Sequence, residues 1–584
     1  MKTYKEEIAD LLAPHTGLTA QEIVPAITLP QHAGQGDFAF PCFTLAKKLR
    51  KAPPAIAAEL AGLIKTNASI VKIEPLSGYL NFFIDPADFA RRTLGAIADQ
   101  GAAYGSSARG AGKTVVIDYS SPNMGKELAF HHLRGTMIGN SLGKLYKRAG
   151  YKVVRINHLG DWGTSYGKLI VMFLREGLKE SDLAAMTIEK LNALYTAFSN
   201  AAKDDATLED QAREAFQKLE AGDARYRGLW QSFKDITLKE LQRIYGFLDV
   251  EFDSYVGEAF FLDHMPATMA LLSSRNLVKA SQGAEIVDLT EHNMPPVMLR
   301  KSDGATLYIT RDIAAAIYRK ETYGFDKCLY VVDNGQSLHF QQLNKVLELA
   351  GFAWHKSVEH VPFGLVLIKS EEGGWEKGKT RSGQASLLKD VIDGAQEKIL
   401  GIIKEKNPDA ADKEGLALQI GVGALVFSEL KNRRLNDIRF EWDKALSFEG
   451  DSGPYVQNAH VRLCSILRKS AERAGRASAD RPAQPGATAL AGINFANFPE
   501  PQAQSLIRTL SLFPDKVGTA IEANDPCPMA QYALEIAEGA HGFIHSCRVL
   551  GSAEEKDRLF LIDCARIALG RTLDAIGVPP IEEM

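Results

Sequence analysis

The chain has 584 residues, of which 45% are hydrophobic and 24% charged, and its formal net charge at pH 7 is −4. Such a length exceeds what one hydrophobic core supports, so several domains are expected in a globular protein. No run of about eighteen apolar residues occurs and the first residues are charged, so we expect a cytoplasmic protein without a membrane span or signal peptide. The six cysteines are scattered without a CxxC pair, which argues against a disulfide framework or a fixed metal site.

The first part of the chain, residues 1 to about 105, has the pattern of a small α+β domain. One predicted helix ends before Pro53 and Pro54, and a second helix follows them. The stretch SIVKIEPLSGYLNFFI then alternates as two strands around a glycine turn.

Residues 113–147 form the segment around which the chain is organised. Val115, Val116 and Ile117 are a β-branched run typical of a strand buried in a parallel sheet. A polar loop follows, and from Leu133 onward the apolar residues recur at helical spacing. The segment therefore predicts strand, loop and helix, and a helix N-terminus is a natural seat for phosphate.

A second buried strand is predicted at residues 153–156, followed by the loop HLGDWG. Strand, helix and strand make the βαβ unit of a doubly wound parallel sheet, whose ligands bind at the carboxyl ends of the strands. The polar loop and the HLGDWG loop should then share one rim. Residues 174 to about 246 are charged and helical, which predicts an insertion that covers the sheet.

Tyr308 and Asp312 lie four residues apart at the start of another predicted helix, so their side chains point the same way. A buried carboxylate suits a guanidinium through bidentate, charge-assisted pairing, although an isolated aspartate here could equally be a helix-start charge. A buried strand at residues 329–332 leads to Gln336, and residues 360–367 are predicted to form the last strand of the nucleotide fold.

Past that strand, GGWEKGKTRSGQASLLKD combines glycines with spaced cations, as a lid over a triphosphate would. From about residue 388 the pattern is mainly helical.

The stretch SPNMGKELAFHHLRGTMIG resembles the first signature of class I aminoacyl-tRNA synthetases, in the form used by arginyl-tRNA synthetases. Ser121, Pro122, Asn123, Lys126 and the His-Leu-Arg run from His132 match, whereas Ala129 stands at the first histidine and His131 at the glycine of that form. KGKTRSG is similar to the second class I signature, and EWDKALSFEGDSGPYVQNAHVRLCSILRK resembles the start of the family's anticodon-binding bundle.

This resemblance implies an arginine–tRNA ligase that uses ATP with Mg²⁺, L-arginine and arginine tRNA. It implies an α/β fold, with a Rossmann-type catalytic sheet, an α+β N-terminal domain and an all-α anticodon-binding bundle. The implied catalytic residues are His132, His131, Lys126, Lys379 and Arg381. The implied arginine-binding residues are Asp118, Ser121, Asn123, Tyr308, Asp312 and Gln336. The implied ATP-binding residues are Pro122, Gly125, Ala129, His132, Gly135, Gly335, Phe363 and Gly364, and the implied tRNA-binding residues are Tyr455, Gln457, Arg462 and Met584.

The expected division is a tRNA-elbow-binding domain at 1–105, a catalytic domain at 106–387 with its insertion at about 174–246, connecting helices at 388–445 and an anticodon-binding domain at 446–584. A monomer is expected. Two alternatives stay open: a paralogue that binds tRNA or arginine without efficient charging, suggested by Ala129, and a class I synthetase for another amino acid, which Tyr308 and Asp312 disfavour. We predict that His131 partly replaces the missing first histidine.

Overall fold

A computed structural model describes residues 2–30, 32, 34–301, 308–369, 374–377, 386–475 and 490–584. The chain divides into two compact units. The first contains Met1–Gly101, Ser470–Ser511 and Gly542–Ala565, and the second contains Ala102–Lys469, Leu512–His541 and Arg566–Met584. Within the described part of the chain, no helix is both long and apolar enough to cross a membrane.

The N-terminal part of the first unit is a small α+β fold. Its elements are α1 (Tyr4–Thr16), α2 (Ala20–Ile23), β1 (Phe38–Pro41), α3 (Phe43–Leu49), α4 (Pro53–Leu63), β2 (Ile70–Leu76), β3 (Tyr79–Ile84) and α5 (Pro86–Gln100). The strands form an antiparallel sheet in the order β1-β3-β2. Helix α3 ends before Pro53, and α4 begins at this proline because its fixed φ and missing N–H suit the first helical position. The predicted strand pair around the glycine turn is confirmed.

The second unit is built on a four-stranded parallel sheet and the elements that cover it. These are β4 (Thr114–Asp118), α6 (His132–Arg148), β5 (Lys152–Ile156), α7 (Thr164–Arg175), α8 (Ile188–Asp204), α9 (Thr207–Glu220), α10 (Ala224–Phe247), α11 (Met265–Ser274), β6 (Val278–Ser281), β7 (Ala284–Val287), β8 (Val297–Arg300), α12 (Tyr308–Tyr323), β9 (Lys327–Asp333), α13 (Ser337–Leu349) and β10 (Val358–Phe363). The strand order is β10-β9-β4-β5, and β6, β7 and β8 form a separate antiparallel sheet.

This order confirms the predicted doubly wound parallel sheet. Strands β4 and β9 pair in parallel at its centre, with β5 on the outer side of β4 and β10 on the outer side of β9, so the order of winding reverses between them. The β-branched residues Val115, Val116 and Ile117 of β4 are fully buried, as expected for a strand covered on both faces. The crevice at the carboxyl ends of β4 and β9 is the switch point where such folds bind ligands.

The remaining elements of the chain are mostly helical. They are β11 (Val366–Lys369), β12 (Trp375–Lys377), α14 (Leu388–Lys406), α15 (Lys413–Leu430), β13 (Ile438–Phe440), α16 (Trp442–Ala445), α17 (Gly453–Arg473), α18 (Pro501–Ser511), α19 (Phe513–Ala523), α20 (Cys527–Ser546) and α21 (Glu555–Ile576). Strands β12, β11 and β13 form their own three-stranded sheet.

The single strand predicted at residues 360–367 is wrong, because the run is two strands in different sheets. Strand β10 ends at Phe363 in the parallel sheet, whereas β11 pairs with β12 and β13. Gly364 turns the chain between them: its N–H donates to the carbonyl of Arg434 at 2.8 Å, and a Cβ there would lie 2.6 Å from the carbonyl oxygen of Asn436.

Candidate active site

The loop after β4 and the HLGDWG loop after β5 share one rim, as predicted. The amide of Gly160 donates to the carbonyl of Pro122 at 3.0 Å, and the amide of Met124 donates to the carbonyl of Gly160 at 3.1 Å. A Cβ at Gly160 would lie 2.4 Å from Oδ1 of Asn123, so only glycine allows this approach. The aspartate of the HLGDWG loop, Asp161, is fully buried and accepts from the amide of Ala259, which anchors the loop.

Two consecutive serines after β4 have a left-handed backbone, with φ of 71° at Ser120 and 44° at Ser121. This conformation is unfavourable outside glycine and is found where surrounding contacts impose it. The Ser121 amide donates to Oδ1 of Asn157 at 3.1 Å, and Ser120 Oγ lies 2.7 Å from the Tyr245 hydroxyl. The turn therefore depends on β5 and on the helical insertion.

At the carboxyl end of β4, Asp118 forms a buried ion pair with Arg319 of α12. Arg319 Nη2 lies 2.7 Å from Asp118 Oδ2, and Ser121 Oγ donates to Oδ1 at 2.8 Å. Both oxygens of Asp118 thus already have protein partners. Arg319 also lies 3.4 Å from Nδ1 of His158, and burial lowers the pKa of that histidine.

Asp312, the fifth residue of α12, forms a hydrogen bond with His339 in the first turn of α13. Nε2 of His339 donates to Oδ2 of Asp312 at 2.7 Å. Burial alone would raise the pKa of Asp312, but the His339 bond and the neighbouring His158 and Arg319 keep it below its ordinary value. The carboxylate is therefore held ionised at the carboxyl edge of the sheet.

Tyr308 begins α12 and is exposed, with the Arg311 guanidinium 4.8 Å from its ring centre. Arg311 is ion-paired with Glu258. Burial raises the pKa of Glu258 to about 7 despite that pair. Gln336, which precedes α13, is exposed on the same edge.

The start of α6 carries the two histidines of the first signature. His131 is exposed, and its ring centre lies 4.2 Å from that of His132. Nδ1 of His132 is 3.0 Å from both the amide nitrogen and the carbonyl oxygen of Ala129. Burial, together with His131, lowers the pKa of His132 to about 4, so this ring is neutral at pH 7.

The segment after the second signature pairs with the first signature loop. The Phe130 amide donates to the carbonyl of Ser386 at 2.7 Å, and the Leu388 amide donates to that of Leu128 at 2.8 Å. Lys379 and Arg381, the cations predicted in the lid over the triphosphate, lie outside the described residues. Strand β12 precedes them in the chain, and this pairing follows them.

The glycines predicted near ATP have close neighbours. A Cβ at Gly135 would lie 2.8 Å from the Phe363 ring, so the first turn of α6 packs directly on the end of β10. The Gly125 amide donates to Thr237 Oγ1 of the insertion at 3.1 Å, and the Gly335 amide donates to Oδ1 of Asp333 at 2.8 Å.

Lys126 contacts the helical insertion: its Nζ lies 4.0 Å from the centre of the Tyr195 ring in α8. Next to it, Asn192 Nδ2 donates to Glu127 Oε2 at 3.4 Å. The insertion therefore positions a cation of the first signature.

Arg134, the arginine of the His-Leu-Arg run, is fully buried with Glu429 of α15 at 3.4 Å. It also donates to the carbonyls of Arg434 at 2.9 Å and Asn436 at 2.8 Å. The signature helix is thereby fixed to the segment that leads into β13. Burial raises the pKa of Glu429 to about 7.

The connection between α19 and α20 contacts the catalytic sheet and α6. The Tyr146 hydroxyl of α6 lies 2.7 Å from Oδ1 of Asn524, which has a left-handed φ of 48°. Asn524 Nδ2 donates to Glu359 of β10 at 3.0 Å, and the Arg434 amide donates to Asp525 at 3.2 Å.

Of the residues predicted to bind tRNA, Tyr455 and Arg462 lie together at the surface of α17. Both contact His541: the Tyr455 ring centre is 5.3 Å away, and Arg462 Nη1 is 3.3 Å from its Nδ1. Gln457 is a correction, because it is fully buried and donates to the carbonyl of Pro579 at 3.0 Å. The carbonyl of Met584 accepts from Asn407. Within the described ranges, no group of three or more His, Cys, Asp or Glu side chains could hold a metal ion.

Sequence reasoning assigned no role to Arg319, His339 and His158. Together with Asp118 and Asp312 they form the charged cluster at the carboxyl edge of the sheet. The spacing contained a signal for two of them. Arg319 follows Asp312 by seven residues, which is the same helix face, and His339 follows Gln336 by three. His158 precedes the glycine of the HLGDWG loop by two residues.

A doubly wound parallel sheet whose first signature loop lies at its switch point is the architecture of class I aminoacyl-tRNA synthetases. Residues 94–442 match the family model described as "tRNA synthetases class I (R), catalytic domain". Residues 2–84 match "Arginyl tRNA synthetase N terminal domain", and residues 456–584 match "DALR anticodon binding domain".

The chain belongs to the arginyl-tRNA synthetase family. It is 43% identical over 587 residues to an arginine–tRNA ligase of Alkaliphilus metalliredigens, with all of both chains covered. It is 42% identical over 582 residues to that of Clostridioides difficile, covering 99% of this chain and 98% of the relative. The arginyl-tRNA synthetase structure of Thermus thermophilus superposes with a TM-score of 0.80 at 25% identity, with all of both chains covered. The chain is thus an aminoacyl-tRNA ligase.

Proposed function

We propose that this ligase joins arginine to its tRNA, and that Asp312 selects the amino acid. An oxygen of the arginine carboxylate attacks the α-phosphorus of ATP, the bond to the β-phosphate breaks, and arginyl-adenylate and pyrophosphate form. A hydroxyl of the terminal adenosine of tRNA then attacks the arginyl carbonyl and AMP leaves. The observation that carries the proposal is an ionised, partly buried Asp312 at the carboxyl edge of the sheet in a chain whose relatives are arginine–tRNA ligases.

The arginine substrate would lie along this edge between β4 and α13. Asp312 accepts the guanidinium with two parallel N–H donors, while Tyr308 and Gln336 flank it. Ser121, Asn123 and Asp118 hold the α-amino and carboxylate end. Asp118 can do so while paired with Arg319, because each carboxylate oxygen accepts more than one hydrogen bond.

ATP would bind at the start of α6, where unpaired N–H groups and the helix dipole favour phosphate. His132, neutral at pH 7, donates a hydrogen bond rather than a charge. Lys126, Lys379 and Arg381 supply positive charge as pyrophosphate leaves, and His131 adds a donor on the same turn as Ala129. Pro122, Gly125, Gly135, Gly335, Phe363 and Gly364 shape the nucleotide cleft. Mg²⁺ would arrive on the triphosphate, its usual mode of binding.

For tRNA we propose the surface of Tyr455, Arg462 and His541, where a ring and a cation can stack on and pair with a splayed base. Met584 lies in the same helical region. The predicted four-domain division, the monomeric state and the cytoplasmic location stay predictions.

The test is charging of arginine tRNA with arginine, lysine and citrulline by the native chain, by Asp312→Asn and by a control, Asp263→Asn, whose carboxylate is exposed. Asp312→Asn should lower kcat/KM for arginine by roughly a hundredfold or more, since charge-assisted hydrogen bonds are lost. Equal arginine charging by the two variants would refute the role of Asp312. Failure of the native chain to charge arginine would favour the non-charging paralogue, which no comparison supports.

A further inference from the structure

We propose that His339 is a positioning residue of the arginine pocket: its ring N–H fixes the orientation in which the Asp312 carboxylate meets the guanidinium. The inference rests on the proposed role of Asp312 in binding the arginine side chain. It assigns a second residue to that pocket.

The contact is direct and partly shielded from water. Nε2 of His339 lies 2.7 Å from Oδ2 of Asp312, and the two side chains are 25% and 24% exposed. Asp312 is the fifth residue of α12, and His339 lies in the first turn of α13. The imidazole also packs edge-on against Phe340, with ring centres 5.4 Å apart, which fixes its plane.

This single donor leaves the rest of the carboxylate available to a ligand. An ionised carboxylate offers about four acceptor positions, of which the His339 N–H takes one. Because that bond fixes the rotation of the carboxylate, the remaining positions keep one orientation. A planar guanidinium needs such an orientation for two parallel hydrogen bonds, whereas an ammonium does not.

Two neighbouring cations of α12 already have carboxylate partners. Arg319 pairs with Asp118, and Arg311 pairs with Glu258. Neither of these ion pairs includes Asp312, so its carboxylate can accept a substrate cation.

The experiment measures the arginine KM and the ATP KM in tRNA charging at one fixed pH. The enzymes are the native chain, His339→Leu, His339→Gln and a control, His292→Gln, at an exposed histidine outside the pocket. His339→Leu should raise the arginine KM about tenfold or more through loss of the donor, with little change in the ATP KM. His339→Gln should recover most of this loss, because its amide nitrogen can take the place of Nε2.

Comparing the two substrates and the two variants separates orientation from mere packing. A packing defect would raise both KM values, or would leave His339→Gln as impaired as His339→Leu. Either result, or an unchanged arginine KM in His339→Leu, would overturn the proposal. If His339→Leu does not fold, His339→Ala replaces it in the comparison. A native chain that does not charge arginine would instead refute the proposed function itself.

Discussion

Replacing Arg134 with methionine tests whether the signature helix is held by its buried ion pair. Arg134 and Glu429 are both completely buried, and the guanidinium also serves the carbonyls of Arg434 and Asn436. Methionine reproduces the apolar stem of the side chain and removes every donor. The change therefore removes electrostatic and hydrogen-bonding contacts while leaving most of the packing.

The expected loss is about 3–5 kcal/mol of unfolding free energy, the cost of leaving one member of a buried pair without its partner. The loss should depend on pH. Burial already raises the pKa of Glu429 to about 7, against 4.5 in the unfolded chain, so its ionisation destabilises the folded state as pH rises from 4.5 through 7. Without Arg134 this pKa rises further, and the destabilisation is larger at pH 8 than at pH 6.

Urea unfolding at pH 6 and pH 8 measures both effects, with Arg109→Met as the control. Arg109 forms the same kind of pair with Glu522, but the two side chains are 48% and 63% exposed. Loss of that pair should cost at most about 1 kcal/mol. Equal losses in the two variants, or a loss in Arg134→Met that does not grow with pH, would refute the reasoning.

Three further substitutions test other contacts of the site. Tyr195→Ala should raise the ATP KM several-fold, since a cation–π contact contributes about 0.5–2 kcal/mol, while Tyr195→Phe should stay near the native value because its ring still contacts Lys126. Gly160→Ala should slow arginyl-adenylate formation about tenfold or more by displacing Asn123, and Gly246→Ala, where a Cβ meets open space, should not. His132→Asn should make the unfolding free energy fall less between pH 6.5 and pH 4. The folded-state pKa of about 4 lies below the unfolded-state value of 6.5, so the native chain loses stability as the pH falls and its unfolded state takes up the proton. Equal slopes for the native chain and His132→Asn in urea unfolding would contradict this.

The parallel sheet was predictable because its strands have a strong local pattern. Val115, Val116 and Ile117 form a β-branched run bounded by polar residues, which has few alternatives to a buried strand. The short strands were not predictable in this way. Strand β1, at Phe38–Pro41, is not among the predicted elements. Strand β11 separates from β10 only because Gly364 packs on the distant Asn436 carbonyl.

The charged cluster was predictable only in part, for a related reason. Asp312 could be proposed because a carboxylate at a helix start has a recognisable role. His339 and Arg319 act through partners on other elements. Their spacing places each of them near a predicted residue, but it does not identify the partner, which for His339 lies 27 residues away. Gln457 shows the opposite error: a polar residue expected at the surface is buried, because its amide bonds the backbone near the end of the chain.

The connection at Asn524 is fixed by hydrogen bonds to several separate elements. It is bonded to Tyr146 at the far end of α6, to Glu359 in the sheet and, through Asp525, to Arg434. Tyr146 and His132 are separated by fourteen residues of one helix, which is a distance of about 21 Å along its axis. Helix α6 therefore links the connection at Asn524 to the imidazole of His132 at its other end.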